Sequence, residues 1–301
     1  MKVRVGFGFG VRTRLNDHGF GDVVDALEDL GFDSLWLSER ISGEAPDPLV
    51  GMSFAAGRTR RLKFGMSVMV LPGRNPVVLA KELATLDRLS GGRLLPAFGL
   101  GVADPQEQQA FGVDRSQRAK RFDEALAVVR GCWEQERLTH HGEFFHYDDL
   151  AVLPKPRQAH LDVWLGGIAP SELKRVGRLS DGWLPSFVTP ADAARGREVV
   201  EQVAAEHGRT IDPEHFGALI PYSDGPVPDA LLATLARRRP DLEDPGVLVP
   251  QGWDAVLALI DQFVAVGTSK FVVLPLVEPS SPAGWVEHLA AAAPAVLARQ
   301  T

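Results

Sequence analysis

The chain has 301 residues, of which 45% are hydrophobic and 24% are charged, and this composition is typical of globular proteins rather than disordered ones. A net charge of −7, from 32 basic and 39 acidic residues, disfavours binding to nucleic acid or to an anionic membrane. The single cysteine, Cys132, excludes an internal disulfide, and no cysteine and histidine cluster has zinc-ligand spacing, so no metal is expected. Without a long apolar run or a leader pattern, the sequence predicts a cytoplasmic protein.

Short runs rich in β-branched and aromatic residues alternate with longer segments of helical spacing along the chain. Strands are predicted over residues 3–9, 34–39, 62–71, 93–99, 162–166, 182–185, 215–222 and 270–275. Helices are predicted over residues 20–30, 76–89, 116–135, 191–207, 253–266 and 282–298. Several strands are apolar at nearly every position, which is typical of a parallel sheet that is covered on both faces.

Eight strand–helix units in about 300 residues favour a (β/α)₈ barrel over an open doubly wound sheet. Residues 6–13, which span the end of the first strand and the turn after it, lack the G-x-G-x-x-G pattern of dinucleotide-binding folds, and no phosphate-binding P-loop occurs in the sequence. We therefore predict one barrel domain over residues 1–301. Two segments interrupt the alternation, at about 142–155 and 224–251, and are expected to cover the mouth of the barrel.

Barrel enzymes build their sites at the carboxyl ends of the strands, which places Phe9, Glu39 and Arg40 in the search region. Glu39 is open to two interpretations, a hydrogen-bond acceptor for a ligand or the partner of an arginine. After the fifth strand, Gly166 and Gly167 lead into a helix. Backbone N–H groups there would suit a phosphate, although a tight turn alone also requires glycine.

Other candidates are weaker. Gly99 and Gly101 end the fourth strand and permit close approach of a ligand. His140, His141 and His146 flank the first interrupting segment, where exposed loop histidines are the simpler interpretation.

A series of short motifs runs in order through the sequence: Ser67-Val68, Arg74-Asn75-Pro76, TLDRLSGGR at 85–93, Gly99-x-Gly101, RFDEA at 121–125, Trp133, Gly142-x-Phe144, Pro154-Lys155-Pro156, Trp164-x-Gly166-Gly167 and Asp181-Gly182-Trp183. This series resembles the luciferase-like flavin and deazaflavin oxidoreductases. Those proteins are (β/α)₈ barrels that bind FMN or coenzyme F420. The resemblance covers roughly residues 3–185 and the last strand.

The resemblance implies a set of cofactor contacts. Ser67 and Val68 would form a bulge with a cis peptide bond behind the cofactor ring, and Glu39 would approach that ring. Backbone N–H groups of Gly166, Gly167 and Ile168 would bind the cofactor phosphate. The tail would run along Gly99 and Gly101, with Phe9 at the end of the first strand also among the cofactor-binding residues.

One position departs from the family pattern. Arg40 stands where several members carry a histidine that is implicated in proton transfer, and an arginine cannot exchange protons at neutral pH. We expect Glu39 and Arg40 to be the catalytic pair, with Arg40 providing fixed positive charge. Val102 replaces the acid of the sugar-phosphate-oxidising members, which disfavours that substrate.

The resulting hypothesis is an oxidoreductase that exchanges hydride between coenzyme F420 and a small organic substrate. An FMN-dependent monooxygenase is the alternative within the family, and a non-catalytic cofactor-binding protein is the alternative from another class. An unrelated phosphate-binding barrel is a further alternative. Besides the substrate, the sequence leaves room for a second copy of the chain as partner, in a homodimer.

Overall fold

The computed structural model describes residues 1–15 and 17–301. Its strands are β1 Arg4–Phe9, β2 Ser34–Leu37, β3 Lys63–Met66, β4 Met69–Val70, β5 Leu94–Leu95, β6 Ala97–Gly99, β7 Leu138–His141, β8 His146–Leu150, β9 Trp164–Leu165, β10 Gly182–Trp183, β11 Gly217–Tyr222 and β12 Lys270–Pro275. Its α-helices are α1 Asp17–Leu30, α2 Pro48–Arg58, α3 Pro76–Ser90, α4 Pro105–Phe111, α5 Arg118–Glu134, α6 Pro170–Leu179, α7 Pro190–Glu206, α8 Asp229–Arg238, α9 Gly252–Ala265 and α10 Pro282–Leu297.

The strands form a ring of parallel neighbours. One sheet has the order β11-β12-β1-β2-β3-β5 and a second has the order β10-β9-β6-β4. β3 with β4, and β5 with β6, are each one barrel strand broken by a short irregularity, so the two sheets continue into each other. On the other side, parallel bridges from Trp183 to Phe216 and from Ser186 to Leu219 connect β10 to β11. This confirms the predicted (β/α)₈ barrel.

Each of the eight predicted strands appears in the structure, most of them shorter than predicted. α2 and α4 were not predicted, because each starts at the proline of an Asp-Pro pair, and this pair is typical of a turn. Asp47 and Asp104 are the N-cap residues of these helices: Asp47 accepts the N–H of Val50, and Asp104 accepts those of Gln106 and Glu107. The prolines stand at the first helical position, where proline is tolerated.

Large and small side chains alternate across the neighbouring strands β1, β2 and β3 inside the barrel. Trp36 of β2 is fully buried and occupies the space beside Gly6 and Gly65, because a Cβ atom at either glycine would lie within 3 Å of the indole. Phe7 and Phe9 point the other way and pack against Trp285 of α10. The glycine face of β1 therefore lines the barrel interior, and its aromatic face joins the helices.

The two interrupting segments each contain regular structure. β7 and β8 pair as an antiparallel hairpin that begins at Leu138, a few residues before the first segment. The second segment contains α8 and a short 3-10 turn, Pro245–Leu248, in place of purely irregular chain. Leu235 of α8 packs with Val227, Leu248 and Val249 in a small cluster of its own. Five prolines across residues 224–251 make the sequence look irregular, so α8 was not predicted.

Candidate active site

The carboxyl ends of β2 and β4 meet through the side chain of Glu39. Its carboxylate accepts the backbone N–H of Val70 at 2.6 Å and forms an ion pair with Arg74, leaving only 3% of the side chain exposed. Burial raises the pKa of Glu39, while Arg74 and the Val70 N–H lower it. Of the two interpretations open from the sequence, the structure shows the arginine partner.

The β3–β4 irregularity places Ser67 and Val68 at the mouth beside Glu39. The Ser67–Val68 peptide bond is cis, as the resemblance implied. Ser67 donates its N–H to Leu37 O at 2.8 Å, which ties the bulge to β2. A Cβ atom on Gly99 would lie 2.4 Å from Val68 Cγ2, so only glycine at position 99 leaves room for the Val68 side chain. The structure thus brings together three of the predicted cofactor contacts, Ser67, Val68 and Gly99.

Arg40 points toward α4 and is already ion-paired. Its Nη2 atom lies 2.8 Å from Asp104 Oδ2, and its Nε atom lies 3.7 Å from Glu107 Oε1. Glu107 is buried and also accepts the N–H groups of Ile41 and Ser42. The charge of Arg40 is therefore balanced by two carboxylates in this structure, which leaves less of it for an anionic ligand than the sequence suggested.

Phe9 lies in a different environment from the one expected. Its side chain is fully buried and packs edge-on against Trp285, with ring centroids 5.1 Å apart, and against Phe20 of α1 at 6.3 Å. The side chain therefore faces the helices and not the barrel mouth. The alternation of β1 explains this placement, because Gly8 and Gly10 occupy the interior positions around it.

The turn from β9 to α6 contains the predicted phosphate cradle. Gly167 adopts a left-handed backbone conformation with φ +94°. Glu172, from the first turn of α6, folds back so that Oε2 accepts the N–H groups of Ile168 and Ala169, each at 3.0 Å. The N–H of Gly167 has no hydrogen-bond acceptor among the described residues. The Gly167 N–H is thus free to bind a ligand, whereas the Ile168 N–H already donates to the Glu172 carboxylate.

The loop after β6 is held by a residue that the sequence did not single out. Arg118 Nη1 donates to Gly101 O at 3.0 Å. Gly101 has φ +79°, and a Cβ there would lie 3.1 Å from Val70 Cγ1. Arg118 therefore fixes the position of the predicted tail-binding loop beside β4.

Arg74, Glu107 and Glu172, together with Arg118, are the site residues that sequence reasoning missed. Arg74 was noted only as part of a motif, and nothing in the sequence pairs it with Glu39, 35 residues away. Glu172 did carry a local signal, because an acid three residues after the N-cap Ala169 is the spacing of a capping box.

A separate histidine and aspartate cluster lies at the opposite end of the barrel. Potential ligand atoms of His160, Asp162 and Asp181 lie within 4.8 Å of one another, just before β9 and β10. Asp181 is already engaged, however, because Arg130 and Arg209 contact its two oxygens at 2.5 and 3.0 Å. Two arginines beside the same carboxylate disfavour a divalent cation.

Comparison with known families agrees with this geometry. Residues 16–273 match the model of the luciferase-like monooxygenase family. The chain belongs to this family.

Curated relatives match a part of the chain. An F420-dependent glucose-6-phosphate dehydrogenase from Kineococcus radiotolerans is 32% identical over 173 residues, which are 54% of this chain and 50% of that protein. A phthiodiolone/phenolphthiodiolone dimycocerosates ketoreductase from Mycobacterium tuberculosis is 31% identical over 201 residues, 63% of this chain and 52% of that protein. The chain thus spans about half the length of these curated relatives.

Solved structures match almost the whole chain at lower identity, and they show the fold alone. Monooxygenase RslO1 from Streptomyces bottropensis superposes with a TM-score of 0.79 at 19% identity, covering 98% of this chain and 99% of that one. An F420-dependent secondary alcohol dehydrogenase with an F420-acetone adduct gives 0.78 at 22%, with the same coverage. The FMN-bound oxygenating constituent of 3,6-diketocamphane monooxygenase from Pseudomonas putida gives 0.78 at 20%, covering 96% of each chain.

Among the described residues, no helix has the length and apolar character needed to cross a membrane.

Proposed function

We propose that the protein is an oxidoreductase that binds coenzyme F420 at the barrel mouth and exchanges hydride with an organic substrate. The observation that carries this proposal is the position of Glu39, which is buried against the Ser67–Val68 bulge by its bond to Val70 N–H. A curated relative that is named F420-dependent and is 32% identical over its matched part supports the choice of cofactor.

The residues of the mouth suit a planar ring with a phosphorylated tail. Val68 lies against the bare backbone of Gly99, so the two together offer a flat surface at one side of the mouth. The open N–H of Gly167 and the loop at Gly101 lie at the ends of the neighbouring strands, where a tail would run. Coenzyme F420 is a deazaflavin, and when bound it would carry two electrons as hydride.

Glu39 and Arg74 provide the ionisable chemistry of this site. The raised pKa of Glu39 allows its carboxyl group to hold a proton at a higher pH than an exposed glutamate would. Arg74 keeps the carboxylate in position when it is ionised. Arg40 acts through its ion pairs, by fixing the loop after β2 against α4.

The substrate is proposed to be largely apolar. Exposed hydrophobic side chains follow the carboxyl ends of four strands: Ile41 after β2, Val102 after β6, Ile168 after β9 and Val277 after β12. Scattered exposed apolar residues are ordinary, but four that follow strand ends at the same end of a barrel favour an apolar ligand. A carbonyl compound or the corresponding alcohol would provide the group that exchanges hydride.

An FMN-dependent monooxygenase is the second candidate, since an FMN-bound structure superposes as well as the F420-bound one. Titration of the purified protein with F420 and with FMN, each followed by calorimetry, separates these functions. We expect F420 to bind at least tenfold more tightly than FMN. Tighter binding of FMN would favour the monooxygenase, and binding of F420 without hydride exchange across a panel of ketones and alcohols would favour a cofactor-binding protein.

A further inference from the structure

The backbone N–H groups at the amino terminus of α6 are bound by a side chain of the same helix. Glu172 Oε2 accepts the N–H groups of Ile168 and Ala169, and the same oxygen lies where a Cβ on Gly167 would be only 2.6 Å away. The carboxylate therefore covers the backbone of the turn. An anionic group at this end of a helix is favoured by the exposed N–H groups and by the helix dipole.

A cavity of about 320 Å³ adjoins this turn and is rich in arginine. Its lining includes Ile168, Trp183, Arg195, Arg238 and Arg239. Arg239 is buried and paired with two aspartates, Asp192 at 3.0 Å and Asp241 at 2.6 Å.

Arg238, unlike Arg239, has no carboxylate partner among the described residues. Its guanidinium lies 4.2 Å from the centroid of the Phe187 ring, and it has neither an ion pair nor a hydrogen bond within the described residues. An unpaired cation beside the cradle can accept a carboxylate that leaves the amides, or contact an anion that replaces it.

We propose that Glu172 competes with the cofactor phosphate for the backbone N–H groups of the β9–α6 turn, and so sets the affinity of this chain for phosphate-bearing cofactors. Two anions cannot share the Ile168 N–H at close range without strong repulsion. The phosphate enters only when Glu172 swings out toward Arg238. This inference rests on the proposed function for the identity of the ligand.

The competition predicts an unusual effect of a neutral substitution. Glu172→Gln keeps a hydrogen-bond acceptor and the helix cap but removes the charge. We expect the variant to bind F420 about tenfold more tightly than the wild-type protein, with no change for the phosphate-free deazariboflavin. Glu172→Asp keeps the charge and should stay close to wild type. Glu201→Gln, on the exposed face of α7, is the matched control and should change neither affinity.

The decisive experiment is calorimetric titration of these variants with F420, with phosphate-free deazariboflavin and with inorganic phosphate. Glu172→Ser serves as a second neutral variant if the glutamine variant unfolds. Equal affinities for F420 in the wild-type protein and both neutral variants would overturn the competition while leaving the proposed function intact. Absence of F420 binding, together with stronger binding of inorganic phosphate by the neutral variants, would instead retain the competition and overturn the proposed function. Failure to bind any of the three would overturn both.

Discussion

Glu39 and Arg74 form an ion pair at the barrel mouth in which the acid is 3% exposed and the base 24% exposed. The pair joins the end of β2 to the loop before α3, and the Val70 N–H adds a third contact to the carboxylate. Burial of this carboxyl group without Arg74 would strongly favour its protonated form. The pair is therefore the electrostatic centre of the proposed site.

Replacing Arg74 with methionine should make stability depend on pH. Without Arg74, the pKa of Glu39 rises further above its ordinary value of 4.5. The folded state then holds a proton that the unfolded state releases, so the free energy of unfolding falls as pH rises from about 4.5 toward the raised pKa. We expect a loss of about 3 kcal/mol at pH 8 and a smaller loss at pH 5. Urea unfolding at both pH values measures these losses. The double variant that also carries Glu39→Gln should lose the pH dependence.

Gly99→Ala should disturb the bulge directly. The new methyl group would lie 2.4 Å from Val68 Cγ2, so the Val68 side chain must move. We expect a loss of about 1–3 kcal/mol in the free energy of unfolding and weaker cofactor binding. Gly57→Ala in α2 is the control, because nothing lies within 4 Å of its Cβ and alanine favours a helix by roughly 0.5–1 kcal/mol. A Gly99→Ala protein as stable as the Gly57→Ala protein would contradict the close contact.

Glu107→Gln should loosen the loop after β2. The buried carboxylate accepts two backbone N–H groups and lies 3.7 Å from Arg40 Nε, and a neutral amide replaces these charge-assisted contacts poorly. The expected loss is about 1–3 kcal/mol in thermal or chemical unfolding. Glu143→Gln should lose less than about 1 kcal/mol, because the exposed Glu143 side chain in the turn between β7 and β8 pairs with an exposed Lys120 of α5.

Acid stability should depend on Asp33 at the amino end of β2. Burial alone would raise the pKa of Asp33, but Lys270, Lys63 and Ser34 together lower it to about 2. The carboxylate therefore stabilises the fold above about pH 4, by roughly 2–3 kcal/mol, and this contribution is lost as pH falls from 4 to 2. Asp33→Asn should be less stable at pH 7 and show a flatter decline between pH 4 and 2. Asp254→Asn, exposed on α9, should follow the wild-type curve.

The barrel itself was predictable from the sequence because its strands are apolar and its helices are periodic. Trp36 and Gly65 show the limit of that reasoning, since their contact depends on which face of each strand points inward. The prediction that Phe9 contacts the cofactor has the same limit. Phe9 does end a strand, as predicted, but its side chain faces the helices.

Some contacts of the site could be predicted from sequence motifs, and others could not. Ser67, Val68 and Gly99 came from an ordered motif series and lie together in the structure. The partners of the charged residues could not be found this way, because Arg40 and Asp104 are 64 residues apart and meet only through the fold.

Hydrogen–deuterium exchange with and without F420 reports where the cofactor lies on the protein without requiring a known substrate. We expect slower exchange on F420 addition in three segments, residues 67–71, 99–102 and 166–169, with exchange in the hairpin strand β8 unchanged. Protection limited to other segments, or no change in these three at a saturating F420 concentration, would contradict binding at the barrel mouth.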